Sequence, residues 1–344
     1  MPVEFQQLHE VDEASGLEYC YQQGWTDGLP VTPPTDRLVA RFLDEVGLSG
    51  DEVLGEVAPR GVTLTAEKVA ANAVMAGCLP AYMPVVVAAI GAMTDPTFNL
   101  HATSSSTGGA AHLLVVNGPI ARELEINAGP NVFGQGFRAN ATIGRSVQLA
   151  LRNICKAIPG KLDRSTMGTP GKFSLCIAEL EEFSPWEPLS VSRGFAEGEN
   201  VVTAFATECP HYIFNYLSNE PVGILTSIAF KMASFANYHD PHGPSENVIA
   251  LCPEHVRTIG KWSKTDVQEF LFTHARRPAA DLKRAGKMMG PIESGDEERL
   301  VPLVDDPELI SIVVAGGDAG GISCHVAGWA GGRMSRSVSR KITV

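Results

Sequence analysis

Short apolar runs separated by clusters of glycine and proline are the feature that most constrains this fold. The chain has 344 residues, of which 34 are glycine and 23 are proline, and these residues lie in brief turns rather than in low-complexity tracts. Some apolar runs have the length of a buried strand, for example 112–116 and 309–315, whereas others have the length and composition of a helix. We therefore predict an α/β or α+β fold, with a mixed sheet, packed helices and glycine-rich loops at strand ends.

The same glycine- and proline-rich turns divide the chain into three segments. Residues 1–60 are predicted to form a leading segment of helix and turns, residues 61–190 a first α/β domain and residues 191–344 a second one. The linker SVSRGFAEGEN marks the boundary between the two domains. The strings VVTAFATECPH and NVIALCPEH both place Cys-Pro after an apolar run, a pattern that two related halves would produce.

Charge and hydropathy exclude several classes of function. Lys and Arg number 27 against 39 Asp and Glu, which leaves a net charge of -12, and no basic run could follow a nucleic-acid backbone. The most apolar stretch, 83–93, is far shorter than the roughly 20 residues that span a bilayer, and the amino terminus is polar and acidic. We expect a cytoplasmic protein that binds neither nucleic acid nor membrane. Its seven cysteines form no CxxC pair, which favours reduced thiols over disulfides.

The sharpest local motif is VVAGGDAGGISCHVAGWAGG, in which an apolar run opens into a glycine-rich loop. We predict a ligand loop in which Gly316 and Gly317 supply backbone amides, while Asp318, Cys324 and His325 are candidate catalytic residues. A glycine-rich turn in a crowded sheet is the alternative. The order GGDAGG differs from a dinucleotide fingerprint, and Gly-Lys-Ser/Thr is absent, so the motif indicates neither NAD(P) nor ATP.

Cysteine and histidine lie close together in three places: Cys209-Pro-His211, Cys252-Pro-Glu-His255 and Cys324-His325. An imidazole can stabilise a nucleophilic thiolate, and Cys324 is the thiol that we assign this role. Adjacent residues of an extended chain point to opposite faces, so we expect thiols and imidazoles to pair between loops rather than within one. A metal site built from both side chains, or inert buried cysteines, are the alternatives.

A second histidine pair leaves a metal site open. His239 and His242 lie in the string YHDPHGPSE beside Asp240 and Glu246, a set that could bind a divalent cation. Solvent-exposed or structural histidines are the alternative, so the cofactor is left unassigned with a divalent metal as one option.

A run of hydroxyl and glycine residues follows His101 and offers both side-chain and backbone donors to a small anion. His101 is a candidate proton carrier, and Arg138 or Arg145 could hold a substrate anion. The predicted substrate-binding residues are Ser104, Ser105, Thr107, Gly108, Gly109, Asn117, Arg138, Asn140, Arg145, Gly316 and Gly317. An ordinary polar loop with helix caps is the alternative. Glu179, Glu181 and Glu182 add a candidate acid or base, or a solvated strand end.

These segments lead to a first hypothesis, an enzyme that acts on a small anionic or amide-bearing molecule. Lyase, hydrolase and thiol-linked reductive chemistry are all open. This hypothesis predicts that the loops 101–109, 131–145 and 316–325 line one pocket. Self-association of the chain is left open.

The order GWTDGLPVTPPT, AEKVAANAVMAGCLPAYMPVVVAAI, FRANATIGR, PGKFSLCIAELEEFSPWEPL and VVAGGDAGG resembles a family of bacterial proteins. Members of that family are often encoded beside short proteins with a UGSC-type selenocysteine or cysteine motif. The resemblance implies a bacterial metabolic protein that is one part of a two-component thiol or selenol system. A second hypothesis follows, a non-catalytic accessory subunit that binds a UGSC-type partner through Trp25, Trp186 and Trp329.

Overall fold

The computed structural model describes residues 13–234, 238, 245–329 and 335–343. Within these ranges the strands are Val53–Val57 (β1), Val62–Thr65 (β2), Ala111–Asn117 (β3), Cys176–Ala178 (β4), Val201–Phe214 (β5), Asn247–Leu251 (β6), Arg276–Pro278 (β7), Leu300–Pro302 (β8), Ile310–Val314 (β9), Ile322–Gly328 (β10) and Val338–Lys341 (β11). The α-helices are Glu13–Gln22 (α1), Asp36–Val46 (α2), Ala66–Ala76 (α3), Met83–Met93 (α4), Leu100–Thr103 (α5), Ile120–Glu123 (α6), Arg138–Asn153 (α7), Leu189–Ser192 (α8), Pro221–Met232 (α9), Pro253–Ile259 (α10), Lys264–His274 (α11) and Ala279–Arg284 (α12).

Seven strands form one curled sheet in the order β4-β3-β5-β10-β6-β9, with β11 paired to the first part of β5. The pairs β3–β4 and β6–β9 are parallel, and the other pairs are antiparallel. The two edge strands of this sheet approach each other. Leu180, just after β4, donates its amide to the Val314 carbonyl at the end of β9, at 2.8 Å. Asn127 and Ala128 bridge the same seam by accepting amide hydrogen bonds from Ala178 and Gly316.

Curling of the sheet creates an apolar inner core that is built from six strands. Along β3, Leu113 and Val115 point into this core, whereas Leu114 and Val116 pack outward against the helices. Strands that are buried on both faces read as continuous apolar runs, which is why 111–117 lacks alternation. The inner core contains Ala111, Leu113, Val115, Val132, Leu175, Ile177, Leu189, Phe205, Val248, Ala250, Val313, Ala315, Cys324 and Val326.

Two outer layers of helices cover the convex side of the sheet. Helices α2, α3, α4 and α7 pack beside β3 and β5, and the leading segment adds Cys20 and Val31 to this layer. Helices α9, α10 and α11 pack outside β6 and β9. The described residues thus confirm the mixed α/β fold with packed helices. No helix among them is long and apolar enough to cross a bilayer, the longest being the 16 residues of α7.

The connectivity of the sheet repeats once. β3 and β4 are parallel and β5 returns antiparallel to β3, just as β6 and β9 are parallel and β10 returns antiparallel to β6. The Cys-Pro pattern in the sequence would make β5 and β6 equivalent strands of two related halves. In the repeated connectivity, however, β5 corresponds to β10, and β6 corresponds to β3. The predicted boundary near residue 190 falls between β4 and β5, both of which belong to the same sheet.

Two element boundaries differ from the sequence prediction in ways that affect the site. Helix α7 begins at Arg138, so Arg138 and Asn140 lie on a helix instead of in the predicted loop 131–145. Cys324 and His325 lie on β10, a strand paired on both sides, and only Gly316–Gly321 remains a loop. Pairing with β5 and β6 stabilises a strand that the flanking glycines conceal.

Candidate functional site

A cavity of about 510 Å³ opens beside α7, near the amino end of β3. One wall is the exposed side of α7, and the other is the irregular segment 157–173. Its polar lining comprises Asp27, Ser104, His112, Gln148, Arg152, Asp163, Ser165, Thr169 and Lys172. The apolar lining includes Leu151, Met167 and Phe173. A volume of this size lies within the range of roughly 300 to 1,000 Å³ that is typical of small-molecule sites.

The leading segment reaches this cavity through the string GWTDGLP. Asp27 forms a two-point ion pair with Arg145 of α7, with both N···O distances at 2.8 Å. Arg145 also donates to the Pro30 carbonyl. Arg145, predicted to hold a substrate anion, is therefore occupied by Asp27 and fixes the rim of the cavity.

Lys172, Asp163 and Ser165 form a compact polar cluster in the wall opposite α7. The Lys172 ammonium lies 2.5 Å from Asp163 Oδ2 and donates to Ser165 Oγ at 2.6 Å. Ser165 in turn donates to Asp163 Oδ1. Although burial opposes ionisation, the hydrogen bonds from Lys172 and Ser165 lower the pKa of Asp163. Lys172 therefore forms an ion pair with an ionised Asp163 in this wall of the cavity.

His112 forms the back of the cavity from the second position of β3. The Gln148 amide donates to its Nδ1 at 3.2 Å, so Nε2 carries the ring proton toward Thr103 Oγ1 at 3.3 Å. Burial, and secondarily the positive charge of Lys172, lowers the pKa of His112 to about 4. The imidazole is therefore neutral at neutral pH.

Arg152 presents a guanidinium to the cavity from the last turn of α7. One of its two terminal nitrogens, Nη2, donates a long hydrogen bond of 3.3 Å to the Gly24 carbonyl. Its Nε is buried and has no hydrogen-bond partner among the described residues. A buried N–H group without a partner is costly and uncommon.

Residues 101–109, the hydroxyl loop, lie beside the cavity, and Ser104 is the only one of the predicted site residues within the described ranges that lines it. Arg60 donates to the His101 ring, the His101 carbonyl and Ser104 Oγ, and Ser105 donates to the His101 carbonyl. These contacts fix the loop rather than leave its donors free. Three further residues of the loop contact other segments: the Thr107 carbonyl accepts from the Thr166 amide, Gly108 lies against Trp329, and Gly109 lies against Ser165.

Asn117 lies at the opposite, carboxyl end of β3. Its amide donates to Glu179 at 2.7 Å and to Glu181 at 2.8 Å. Burial raises the pKa of Glu179 to about 7, although its carboxylate also accepts the Leu189 amide. These carboxyl groups accept hydrogen bonds from backbone amides and from the Asn117 side chain. They lie at the end of β3 opposite to the cavity.

The remaining predicted loops contact each other instead of the cavity. Arg138 is exposed and donates to the Gly77 carbonyl, and Asn140 bonds both backbone groups of Asn127. Gly316 donates to the Ala128 carbonyl, and Gly317 lies against Pro130. Hence 126–131 and 316–317 meet at the seam of the sheet, and none of 316–325 lines the cavity.

Cys324 and His325 have surroundings that oppose the chemistry predicted for them. Cys324 lies in the inner core, where burial raises the pKa of its thiol to about 12. His325 is buried with Nε2 2.7 Å from Asn247 Oδ1, and burial lowers its pKa to about 3. Asp318 is exposed and forms an ion pair with Arg257. Alternation along β10 turns Cys324 inward and His325 outward, as the sequence argument anticipated for neighbouring residues.

The metal prediction cannot be placed in the same way, because His239 and His242 lie outside the described residues. Within the described ranges, no group of three or more His, Cys, Asp or Glu side chains is arranged to hold a metal ion.

Sequence reasoning missed most of the residues that line the cavity. Asp27 and Lys172 lie in the strings GWTDGLP and PGKFSLC, where a charged residue next to a glycine was the available signal. Comparisons of the chain with protein-family models, with curated proteins and with solved structures found no match.

Proposed function

We propose that the cavity beside α7 binds a small polar molecule with an anionic group, and that the protein is an enzyme acting on that molecule. The observation that carries this proposal is Arg152, whose side chain lines the cavity and whose guanidinium makes one long hydrogen bond, to Gly24, and leaves Nε without a partner among the described residues. Its terminal nitrogens would donate to a carboxylate or phosphate oxygen. A guanidinium binds such groups through two parallel hydrogen bonds, which adds geometric specificity.

Lys172 supports the same ligand class from the opposite wall. Lys172 forms an ion pair with Asp163, but an ammonium has three donors, and the hydrogen bonds that hold it here are to Asp163 and Ser165. Ser165 Oγ, Ser104 Oγ and Thr169 Oγ1 add hydroxyl groups to the lining. An anionic molecule that also carries hydroxyl or amide groups matches this set of donors and acceptors.

Proton transfer is the chemistry that the lining favours, which corresponds to a lyase or hydrolase. His112 is the imidazole among the described lining residues, and the negative charge of a bound anion would raise its lowered pKa toward the range that a general base needs. A substrate group that replaces the Gln148 amide at Nδ1 would donate to the same lone pair. The described lining contains no cysteine, so thiol-linked reductive chemistry gains no support from this cavity.

Calorimetric titration with small anions tests this proposal. Phosphate, succinate and the monoamide of succinate sample the anion and amide classes, and at least one should bind the wild-type chain. We expect Arg152→Gln to weaken that binding by about 10- to 100-fold, as loss of a charge-assisted hydrogen bond worth roughly 1.5–3 kcal/mol implies. Arg138→Gln, an exposed position on the same helix, is the matched control and should bind as wild type.

Absence of binding by every anion in the panel would contradict the proposal, as would equal affinities for the two arginine variants. Activity is then sought with the anion that binds. His112→Gln should abolish turnover while leaving affinity within a few-fold of wild type.

The accessory-subunit hypothesis finds no favouring observation among the described residues. Trp329 is buried and donates to Ser106 Oγ, and Trp186 donates to the Trp262 carbonyl. Trp25 packs against the outer helical layer. The three tryptophans are thus packing elements rather than exposed anchors.

A further inference from the structure

Cys252, Ser323 and His255 form a cluster at the carboxyl end of β6, remote in sequence from the lining of the cavity. Ser323 Oγ lies 2.7 Å from His255 Nδ1 and 3.7 Å from Cys252 Sγ. The Cys252 amide also donates to Ser323 Oγ at 3.2 Å. The serine hydroxyl therefore stands between the thiol and the imidazole.

The far side of the imidazole fixes the direction of proton transfer. His255 Nε2 lies 3.0 Å from the Asn215 carbonyl, which can only accept a hydrogen bond. Nε2 must therefore carry a proton, and Nδ1 is the nitrogen that can receive one. A proton that leaves the Cys252 thiol can pass through the Ser323 hydroxyl to Nδ1, leaving a thiolate beside an imidazolium.

We propose that Cys252 is a nucleophilic thiol, activated through Ser323 by His255, that reacts with low-molecular-weight disulfides. The Cys252 sulfur attacks one sulfur of the disulfide, a new S–S bond forms and the original S–S bond breaks. The electron pair of the broken bond leaves with the second sulfur. That sulfur then receives, from His255 through Ser323, the proton that Cys252 gave up. Cys252 ends as a mixed disulfide, and the attacked disulfide is the oxidant.

Cys252 differs from four other thiols of the chain in the direction in which its surroundings shift its pKa. Burial raises the pKa of Cys78, Cys155, Cys176 and Cys324 to about 11 or 12. Burial also acts on Cys252, but contacts with His255 and Ser323 outweigh it and lower the pKa of this thiol. The same pairing raises the pKa of His255 despite burial. The titratable groups that interact with the pair are Glu254 on α10 and Cys324 on β10.

A glycine-rich loop covers the thiol. Cys252 is only 2% exposed, and its sulfur lies 3.7 Å from the Gly320 carbonyl. In the loop Gly316–Gly321, four of six residues are glycine, so backbone rather than side chains forms the cover. Asp318, an exposed residue of this loop, forms an ion pair with Arg257 of α10. Attack on a disulfide requires this loop to lift, and the ion pair opposes that movement.

Reaction of the folded chain with dipyridyl disulfide tests the proposal. Cys209 is the one cysteine of intermediate burial, so Cys209→Ser serves as the background. Release of pyridinethione should show one fast thiol, and peptide mass mapping should place the mixed disulfide on Cys252. Mapping of the fast label to another cysteine would overturn the proposal, and this measurement needs no substitution within the cluster.

Variants then separate activation from mere exposure. Ser323→Ala should slow the fast phase about tenfold or more near neutral pH and move the midpoint of its pH-rate profile upward, because the relay is broken. Cys324→Ser is the matched control and should retain the fast phase. Asp318→Asn should accelerate it by about two- to fivefold, since an exposed ion pair is worth up to roughly 1 kcal/mol. An unchanged profile in a folded Ser323→Ala variant would also overturn the proposal.

Discussion

The Asp27 carboxylate accepts two hydrogen bonds of 2.8 Å from the Arg145 guanidinium. This ion pair joins the leading segment to α7, 118 positions away in the sequence. Both side chains are 14% exposed. The leading segment is thereby part of the cavity wall rather than an appendage.

Arg145→Gln should destabilise the fold. The change leaves Asp27 without its main partner in a largely buried setting, and we expect a loss of about 2–3 kcal/mol in the free energy of unfolding. Urea denaturation measures it. Arg340→Gln removes the longer, exposed pair with Asp95 and should cost less than about 1 kcal/mol. Equal costs for the two variants would show that the two-point geometry is unimportant.

Gly109→Ala should damage both stability and ligand binding. Gly109 has φ +68°, and an added Cβ would lie 2.9 Å from Ser165 Oγ, which bonds Lys172. Gly24 has nearly the same φ, +69°, with open space around a Cβ. Gly24→Ala should lower the free energy of unfolding by about 1 kcal/mol, from backbone strain alone. Gly109→Ala should lower it further and should also weaken anion binding. Thermal unfolding and titration of both variants check this; indistinguishable variants would refute it.

Acid should destabilise the protein partly through His112. Its pKa is lowered to about 4 in the folded state, so between about pH 6.5 and 4 the unfolded chain binds the proton more readily. Stability contributed by the neutral ring is present above pH 6.5 and is lost as the pH falls. At about pH 5 the expected loss is about 2 kcal/mol. His112→Gln should flatten this dependence in urea titrations, whereas His274→Gln, at an exposed position, should follow the wild-type curve.

Alkali should destabilise the protein partly through Glu179, for the opposite reason. Burial raises its pKa to about 7, so the folded carboxyl keeps a proton that the unfolded chain has already lost. The free energy of unfolding should fall by about 1 kcal/mol between about pH 6 and 8 from this group. Glu179→Gln should remove that fall. Glu182→Gln, exposed beside it, is the control; parallel curves for Glu179→Gln and wild type would contradict the assignment.

Local signals predicted much of the fold correctly. Continuous apolar runs indicated β3, β6 and β9. The first turns of α7 were predicted to belong to a loop, because a tertiary contact anchors them. Asn140 bonds the backbone of Asn127, and no pattern within 138–142 reveals that partner.

Strand β10 was concealed for a similar reason. Glycines flank its seven residues, and the strand is stabilised by ladders to β5 and β6 that lie far away in sequence. The opposite orientations of Cys324 and His325 were anticipated, but the loop prediction could not reveal that both side chains would be buried.

The candidate sites depend on long-range contacts as well. Lys172 and Arg152 face one cavity because the segment 157–173 folds back across α7. Pairing of Cys252 with His255 occurs within one motif, contrary to the expectation of pairing between loops. That expectation assumed an extended chain, but the chain turns into α10 at Pro253, and Ser323 from β10 completes the cluster.

The seam between β4 and β9 has a consequence for how the chain is made. The inner core needs residues from β10, which emerges from the ribosome after the other five strands that build it. Until then the inward faces of β3, β4 and β5 lack their apolar cover, and partly made chains expose strand edges that can pair with other chains. Closure of the sheet is therefore a late event in biosynthesis, and the interval before it is when the nascent protein most needs protection from aggregation.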